Sequence, residues 1–223
     1  MRMWRRVVNL NGTDWQFGSV PPRPWKEAGI YDLGEVREWL PATVPGNVRA
    51  DLLALSRIPD PFYGLNNEES QWVDRRDWWY KKELHLTLEE GERAFLIFEG
   101  IDYLSAVFLN RVGAKHASPL LGRHEGMFSR QVYEITPLLQ LPTSNPQPPS
   151  LIAVRIWGSA ALPRLKLPFW TKLWIRLLEA IPGGPEPYPD RIATLKCQMS
   201  FGWDFAPRIL TMGIWDDVYL LIT

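Results

Sequence analysis

The residues most able to do chemistry in this chain are Phe201-Gly202-Trp203-Asp204-Phe205-Ala206-Pro207-Arg208, followed at once by Ile209-Leu210-Thr211-Met212-Gly213-Ile214-Trp215. An aromatic ring beside a carboxylate, framed by Gly and Pro, suits the grasping of a sugar. The ring covers the C–H face of a pyranose, and the carboxylate accepts hydrogen bonds from its hydroxyls. The same rings also read as core residues at the corner of a β-sandwich, because buried aromatics are common. Asp204 separates the two readings, since a carboxylate between rings must be paired, exposed or functional.

Other chemistry is sparse. Glu99, Asp102 and Glu125 can in principle supply the two carboxylates that glycoside hydrolysis needs, but nothing in the linear sequence makes any two of them converge. His85, His116 and His124 lie on separate segments without close Cys partners, and only His124 has a carboxylate, Glu125, beside it. No metal site is expected from them. There is no Gly-rich phosphate loop, no Gly-x-Ser-x-Gly and no dinucleotide fingerprint, so no cofactor is expected. Catalytic residues are not visible.

The elements that must position Trp203 and Asp204 are strands. Val7 to Phe17 reads as strand, turn at Asn11-Gly12, strand. Leu40 to Gly46 is extended, because each Pro pushes its predecessor out of the helical region. Asn47 is placed to cap a short helix through Ser56, with Val48, Leu52 and Leu55 on one face and Pro59 closing it. Strand patterns follow at Trp78–Leu86, Ala94–Gly100, Leu104–Leu109 (ending in a turn at Asn110-Arg111), Phe128–Ile135 and Leu151–Trp157. Leu141 to Ser150 is a Pro-rich loop, and Pro182 to Pro189 is another. Ile192 to Met199 reads as a strand leading into the Trp203 stretch, and Val218 to Ile222 as the last strand. Many short strands with turns between them mean a sandwich or jelly roll.

Phe169 to Ala180 breaks this habit. Trp170, Leu173, Trp174, Leu177 and Leu178 recur at helical spacing. That predicts either a helix capping one end of the sandwich or an apolar surface meant for another domain, with Trp170 and Trp174 as its docking residues.

Composition bounds the rest. With 46% hydrophobic and 22% charged residues among 223, the chain is an ordinary globule, read as one all-β domain over residues 1–223. Twelve Trp and twenty Pro fit carbohydrate-handling surfaces and ordered loops. The 25 basic residues balance 25 acidic ones, which gives no electrostatic case for nucleic acid. No apolar run reaches the roughly 18 residues of a membrane span. A single Cys197 cannot close an intrachain disulfide, and Arg2 to Arg6 is followed by no apolar run of signal-peptide type, so the cytoplasm is the expected location. The chain ends on a strand without tail or linker, which reads as a domain cut from something longer.

Taken in order, these segments resemble the amino-terminal, sugar-binding domain of glycoside hydrolase family 2, in its β-mannosidase-like branch. The resemblance covers nearly the whole chain. It is carried by Leu10-Asn11-Gly12-Thr13-Asp14-Trp15-Gln16-Phe17, Val44-Pro45-Gly46-Asn47-Val48, Ile58-Pro59-Asp60-Pro61-Phe62-Tyr63-Gly64 and Trp78-Trp79-Tyr80. It continues through Phe98-Glu99-Gly100-Ile101-Asp102, Val107-Phe108-Leu109-Asn110 and Leu121 to Phe128, and closes with Phe201-Gly202-Trp203-Asp204 and Gly213-Ile214-Trp215. Two positions depart from the pattern: Phe205 stands where the branch often has Trp, losing an indole N–H donor, and Asn110-Arg111 replaces an Asn-Gly turn.

The resemblance implies a jelly-roll β-sandwich of the galactose-binding type with short helical insertions, agreeing with the strand pattern. It implies that the catalytic carboxylates sit on a separate (β/α)8 barrel of the same polypeptide, so that this chain is not catalytic on its own. It implies that Trp203 and Asp204 line the subsite for the non-reducing sugar of a β-mannoside or related glycoside. A stand-alone carbohydrate-binding module and a purely structural interdomain-docking domain are the two rival readings.

Overall fold

The structure is a computed structural model that describes residues 6–25, 33–111, 119–139, 149–163, 168–179 and 193–223. Its strands are β1 (Arg6–Asn9), β2 (Gly12–Val20), β3 (Leu40–Val44), β4 (Asp77–Leu84), β5 (Ala94–Phe98), β6 (Ile101–Asp102), β7 (Leu104–Arg111), β8 (Leu120–Glu125), β9 (Gln131–Glu134), β10 (Ser150–Ile156), β11 (Gly213–Ile214) and β12 (Val218–Ile222). The helices are α1 (Val48–Ala54), α2 (Asn66–Glu69), α3 (Thr136–Leu139) and α4 (Phe169–Glu179). No helix among the described residues is long and apolar enough to cross a membrane.

Two antiparallel sheets carry the fold. The larger has strand order β3-β2-β4-β10-β7-β8 and the smaller β1-β12-β5-β9, while β6 and β11 form a short ribbon. Phe17, Tyr80, Val107 and Val154 of the larger sheet meet Leu96, Phe98, Leu220 and Ile222 of the smaller one in the main core. Burial of each such side chain contributes about 1.5–3 kcal/mol. This is the all-β sandwich expected from the strand pattern.

The larger sheet is buried on its other face too. Between Trp78 and Tyr80, Trp79 points the opposite way, into a second cluster with Ala106, Phe108, Ala153 and Trp157. Phe201 and Leu210 close that cluster from above, so irregular backbone takes the place of a third layer. Strands covered on both faces lose period-two alternation, which is why Trp78-Trp79-Tyr80 reads as a continuous apolar run. Asp77 and Arg155, both fully buried, pair at 2.6 Å beside this cluster, and the Arg155 guanidinium lies 5.0 Å from the Trp157 ring centre. Asp77 also accepts from the Gly158 and Arg23 backbone N–H groups. Burial raises its pKa, against the opposing pull of Arg155.

Local expectations meet mixed outcomes. Asn47 caps α1, its side chain accepting from the Ala50 N–H at 3.0 Å, and Val48 and Leu52 face the core. The strand expected over Ile192–Met199 is absent from the described part, 193–199: the chain there is irregular and ends in a 3-10 turn, Gln198–Phe201. Its backbone groups bond to side chains rather than to a neighbouring strand: the Leu195 N–H to the Tyr103 hydroxyl, the Cys197 N–H to the Met127 sulfur, and the Thr194 and Lys196 carbonyls to the Gln198 amide. The turn expected at Asn110-Arg111 is not found at those residues, because β7 runs through both, paired with Leu151 and Ser150 of β10. The Pro182–Pro189 loop and His116 lie outside the described residues, as does most of the Leu141–Ser150 loop.

Candidate functional site

The Trp203 stretch belongs to the segment 193–212, and its root is held by buried polar contacts. The Lys196 ammonium donates to both oxygens of Asp102 and to the Thr211 carbonyl at 2.5 Å. The Thr211 hydroxyl donates to Asp102 at 2.8 Å. Lys196 and Asp102 are almost wholly buried, and burial lowers the lysine pKa while Asp102 opposes that shift. The Leu195 N–H donates to the Tyr103 hydroxyl at 3.1 Å, and that hydroxyl donates to Glu125.

A second anchor comes from α1. The buried Arg49 guanidinium donates to Asp74 at 2.8 Å, to the Ser70 carbonyl and hydroxyl at 2.6 and 2.7 Å, and to the Leu210 carbonyl at 3.4 Å. Gln71 donates to the Arg208 carbonyl at 2.8 Å. Burial raises the Asp74 pKa, with Arg49 and then Arg208 opposing. At the far end, the Val48 N–H donates to Met212 and the Gly46 N–H to Ile214, both at 2.8 Å. Gly213 permits this approach, because a Cβ there would stand 2.6 Å from the Gly46 carbonyl oxygen.

From this root the chain rises into a tight turn. The Trp203 N–H donates to the Ala206 carbonyl at 2.9 Å and the Ala206 N–H to Trp203 at 3.3 Å. Asp204 and Phe205 therefore form the tip. Gly202 enters the turn at φ +96°, a conformation that L side chains rarely adopt. Trp203 is 48% exposed and Phe205 73%. Asp204 is exposed, and its carboxylate has no hydrogen-bond or ion-pair partner among the described residues. The core reading thus fits Phe201 and Leu210 but not Trp203, Asp204 or Phe205.

The other sequence candidates are placed apart. Glu99 accepts from Arg130 at 2.7 Å and from Tyr219 at 2.6 Å, and the Arg130 bond chiefly lowers its pKa. Asp102 is consumed by Lys196, and Glu125 by Tyr103, so the three carboxylates serve separate contacts. His124 bonds Ser129, and exposed His85 lies 3.7 Å from Glu83.

Trp170 and Trp174 do lie on a helix, but it does not bury its apolar stripe against the sandwich. Trp170 is 71% exposed, Trp174 66% and Leu177 55%. The end-cap expectation for this helix is therefore corrected. A further exposed group is Phe62, Tyr63 and Leu65, each at least 70% exposed. It sits in the loop before α2, whose following residues Ser70 and Gln71 bind Arg49 and Arg208. The sequence signalled that loop only through the family motif, and its projection follows from Gly64 at φ +58° and the Asp60 side chain bonding the Phe62 N–H.

A family profile, described as the galactose-binding domain-like region of glycosyl hydrolase 2, matches residues 15–216. The chain belongs to this family. Within it, the domain is 32% identical over 185 residues to the β-mannosidase of Capra hircus, covering 80% of this chain and 19% of that protein. It is 29% identical over 224 residues to β-mannosidase A of Emericella nidulans, covering 97% of this chain and 20% of that protein. Among solved structures, the β-D-mannosidase of Dictyoglomus thermophilum superimposes with a TM-score of 0.68 at 29% identity, over 96% of this chain and 22% of that one. This glycosyl hydrolase 2 domain thus spans about a fifth of the length of these relatives.

Proposed function

We propose that this chain is the non-catalytic sugar-binding domain of a β-mannosidase-like glycosidase, and that Trp203 and Asp204 form one rim of its sugar subsite. The observation that carries the reading is the contrast along one segment: a root fixed by buried ion pairs and a tip whose carboxylate is exposed and uncommitted. A ring for the C–H face of a pyranose and a carboxylate for its hydroxyls stand on a root already fixed by buried contacts, which lowers the ordering left to binding. The remainder of the polypeptide, a (β/α)8 barrel by family resemblance, would close the site and carry the catalytic carboxylates. The exposed stripe of Trp170 and Trp174 is offered as a docking face toward that partner, since an apolar patch of this kind marks an interaction surface. A cytoplasmic location is part of the same proposal and rests on Cys197, a single free thiol.

The decisive experiment uses the full-length enzyme and Asp204→Asn, which keeps the shape and removes the charge. A charge-assisted bond shielded from water is worth about 1.5–3 kcal/mol, so kcat/KM on an aryl β-mannoside should fall roughly ten- to two-hundred-fold. The melting temperature should hardly change. A large stability loss with unchanged kcat/KM would defeat the assignment. A dissociation constant near ~10 μM for a monosaccharide on the 223-residue chain would instead favour a stand-alone binding module, because one rim should bind only at about millimolar.

A further inference from the structure

A groove of about 690 Å³ opens along β2 and the segments around Glu35–Leu40, Arg57 and Trp72–Trp78, and none of its lining residues belongs to the Trp203 turn. Its volume lies in the range of small-molecule and oligosaccharide sites. In a chain of zero net charge, it gathers Arg23, Arg37, Arg57 and Arg76 against Glu35 and Glu38. Arg23 pairs with Glu35 at 2.7 Å, and Arg57 pairs with Glu38. Two guanidiniums then remain in excess.

These two differ in a useful way. Arg76 is half-buried, and its Nε donates to the Ser19 hydroxyl of β2 at 2.9 Å. That bond fixes the plane of the guanidinium and leaves its terminal amino groups without a hydrogen-bond partner among the described residues. Arg37 is exposed and has no such partner there at all. Beside them the Trp72 ring is 40% exposed, backed by Trp78 with ring centres 6.1 Å apart. Leu40 and Leu52 add apolar lining.

We infer that this groove binds an acidic saccharide: the Trp72 ring takes the apolar face of a sugar, and Arg76 with Arg37 takes its carboxylate. A planar guanidinium matches a carboxylate with two parallel N–H bonds, which a neutral hexose cannot reciprocate. Nucleic acid fits poorly, because two guanidiniums in excess make no basic stripe for a continuous phosphate chain. The site is separate from the Trp203 rim and stands or falls independently of it.

Calorimetry and NMR titration of the 223-residue chain test this with trigalacturonate, neutral mannotriose and inorganic sulfate as probes. Trigalacturonate should bind with a dissociation constant of ~0.1–1 mM, at least ten times tighter than either of the other two. Its affinity should fall with added salt, because an open groove is screened. The paired variant Arg37→Ala and Arg76→Ala should weaken it roughly tenfold or more, and Trp72→Ala comparably, while Asp204→Asn leaves it unchanged. Arg37→Ala alone breaks no hydrogen bond or ion pair with another described residue, so its partial loss of affinity reads the site even if the Arg76 change perturbs folding. Absence of binding at ~10 mM, equal affinity for mannotriose, or sulfate matching trigalacturonate would each overturn the inference. So would trigalacturonate affinity left undiminished by Arg37→Ala.

Discussion

The root and the tip of the segment from Leu195 to Met212 treat a carboxylate in opposite ways. At the root, Asp102, Asp74, Lys196 and Arg49 are charged, buried and matched in pairs. At the tip, Asp204 is charged, exposed and left without a described partner. Burying a charge is costly unless its partner is close and its remaining hydrogen bonds are met, so the root spends its polar groups on fixing backbone. The tip leaves its carboxylate open to solvent, where the proposed sugar subsite needs it. A buried ion pair here fixes position, and the exposed carboxylate is the one we propose for the sugar.

The strongest way to break that comparison is Asp102→Ala. It strands the Lys196 ammonium in the interior and should destabilise the chain by about 3–5 kcal/mol, seen as a steep fall in the denaturation midpoint. Midpoints within error of the parent would mean that the root is not held by this pair. Asp204→Asn comes next, with the loss of turnover given above and no such stability change. The two variants should therefore fail in opposite assays.

A smaller effect sharpens the comparison through pH. Asp51 of α1 accepts from the Thr43 N–H at 3.1 Å, while its other oxygen is buried without a hydrogen-bond partner, and burial pushes its pKa up to about 6. The folded state then holds this proton more tightly than the unfolded chain, whose carboxylate titrates near the ordinary value of about 3.9. Stability from this group is greatest below the unfolded pKa and declines as pH rises from about 4 to about 6. Denaturant titrations at several pH values should show the decline, and Asp51→Asn should remove it; an identical slope in both proteins would exclude Asp51 as its source. Smallest of all, Trp174→Ala should change the stability of the 223-residue chain by no more than about 0.5 kcal/mol, because the ring is 66% exposed. A larger loss would place that ring in the fold rather than on a docking face.

How far the sequence could be read follows from which interactions are local. The Asn47 cap, the turn before β2 and the strand β12 were legible, because their signals lie within a few residues. The helix from Phe169 was legible as a helix and illegible as to its setting, since periodicity gives a face but not what covers it. Trp203 and Asp204 stood out by type, and the exposed two-residue tip required the structure. The root was hidden entirely: Lys196 meets Asp102 across 94 positions, and Arg49 meets Asp74 across 25, and no spacing rule links them. The strand expected up to Met199 failed for the same reason, because side chains distant in sequence satisfy that backbone in place of a neighbouring strand.

The position of β12 has a consequence in time. It lies inside the smaller sheet, bonded to β1 on one side and to β5 on the other, with Arg6 opposite Ile222. During synthesis, β1 and β5 leave the ribosome without the strand that joins them, and each waits as an open edge. The sandwich can zip shut only when Val218–Ile222 has emerged, some two hundred residues after β1, so closure is a late and long-range event. Until then the apolar face of β5 depends on transient cover. Nascent chains halted before Val218 should be protease-sensitive throughout, while those extended beyond Thr223 should become resistant in one step.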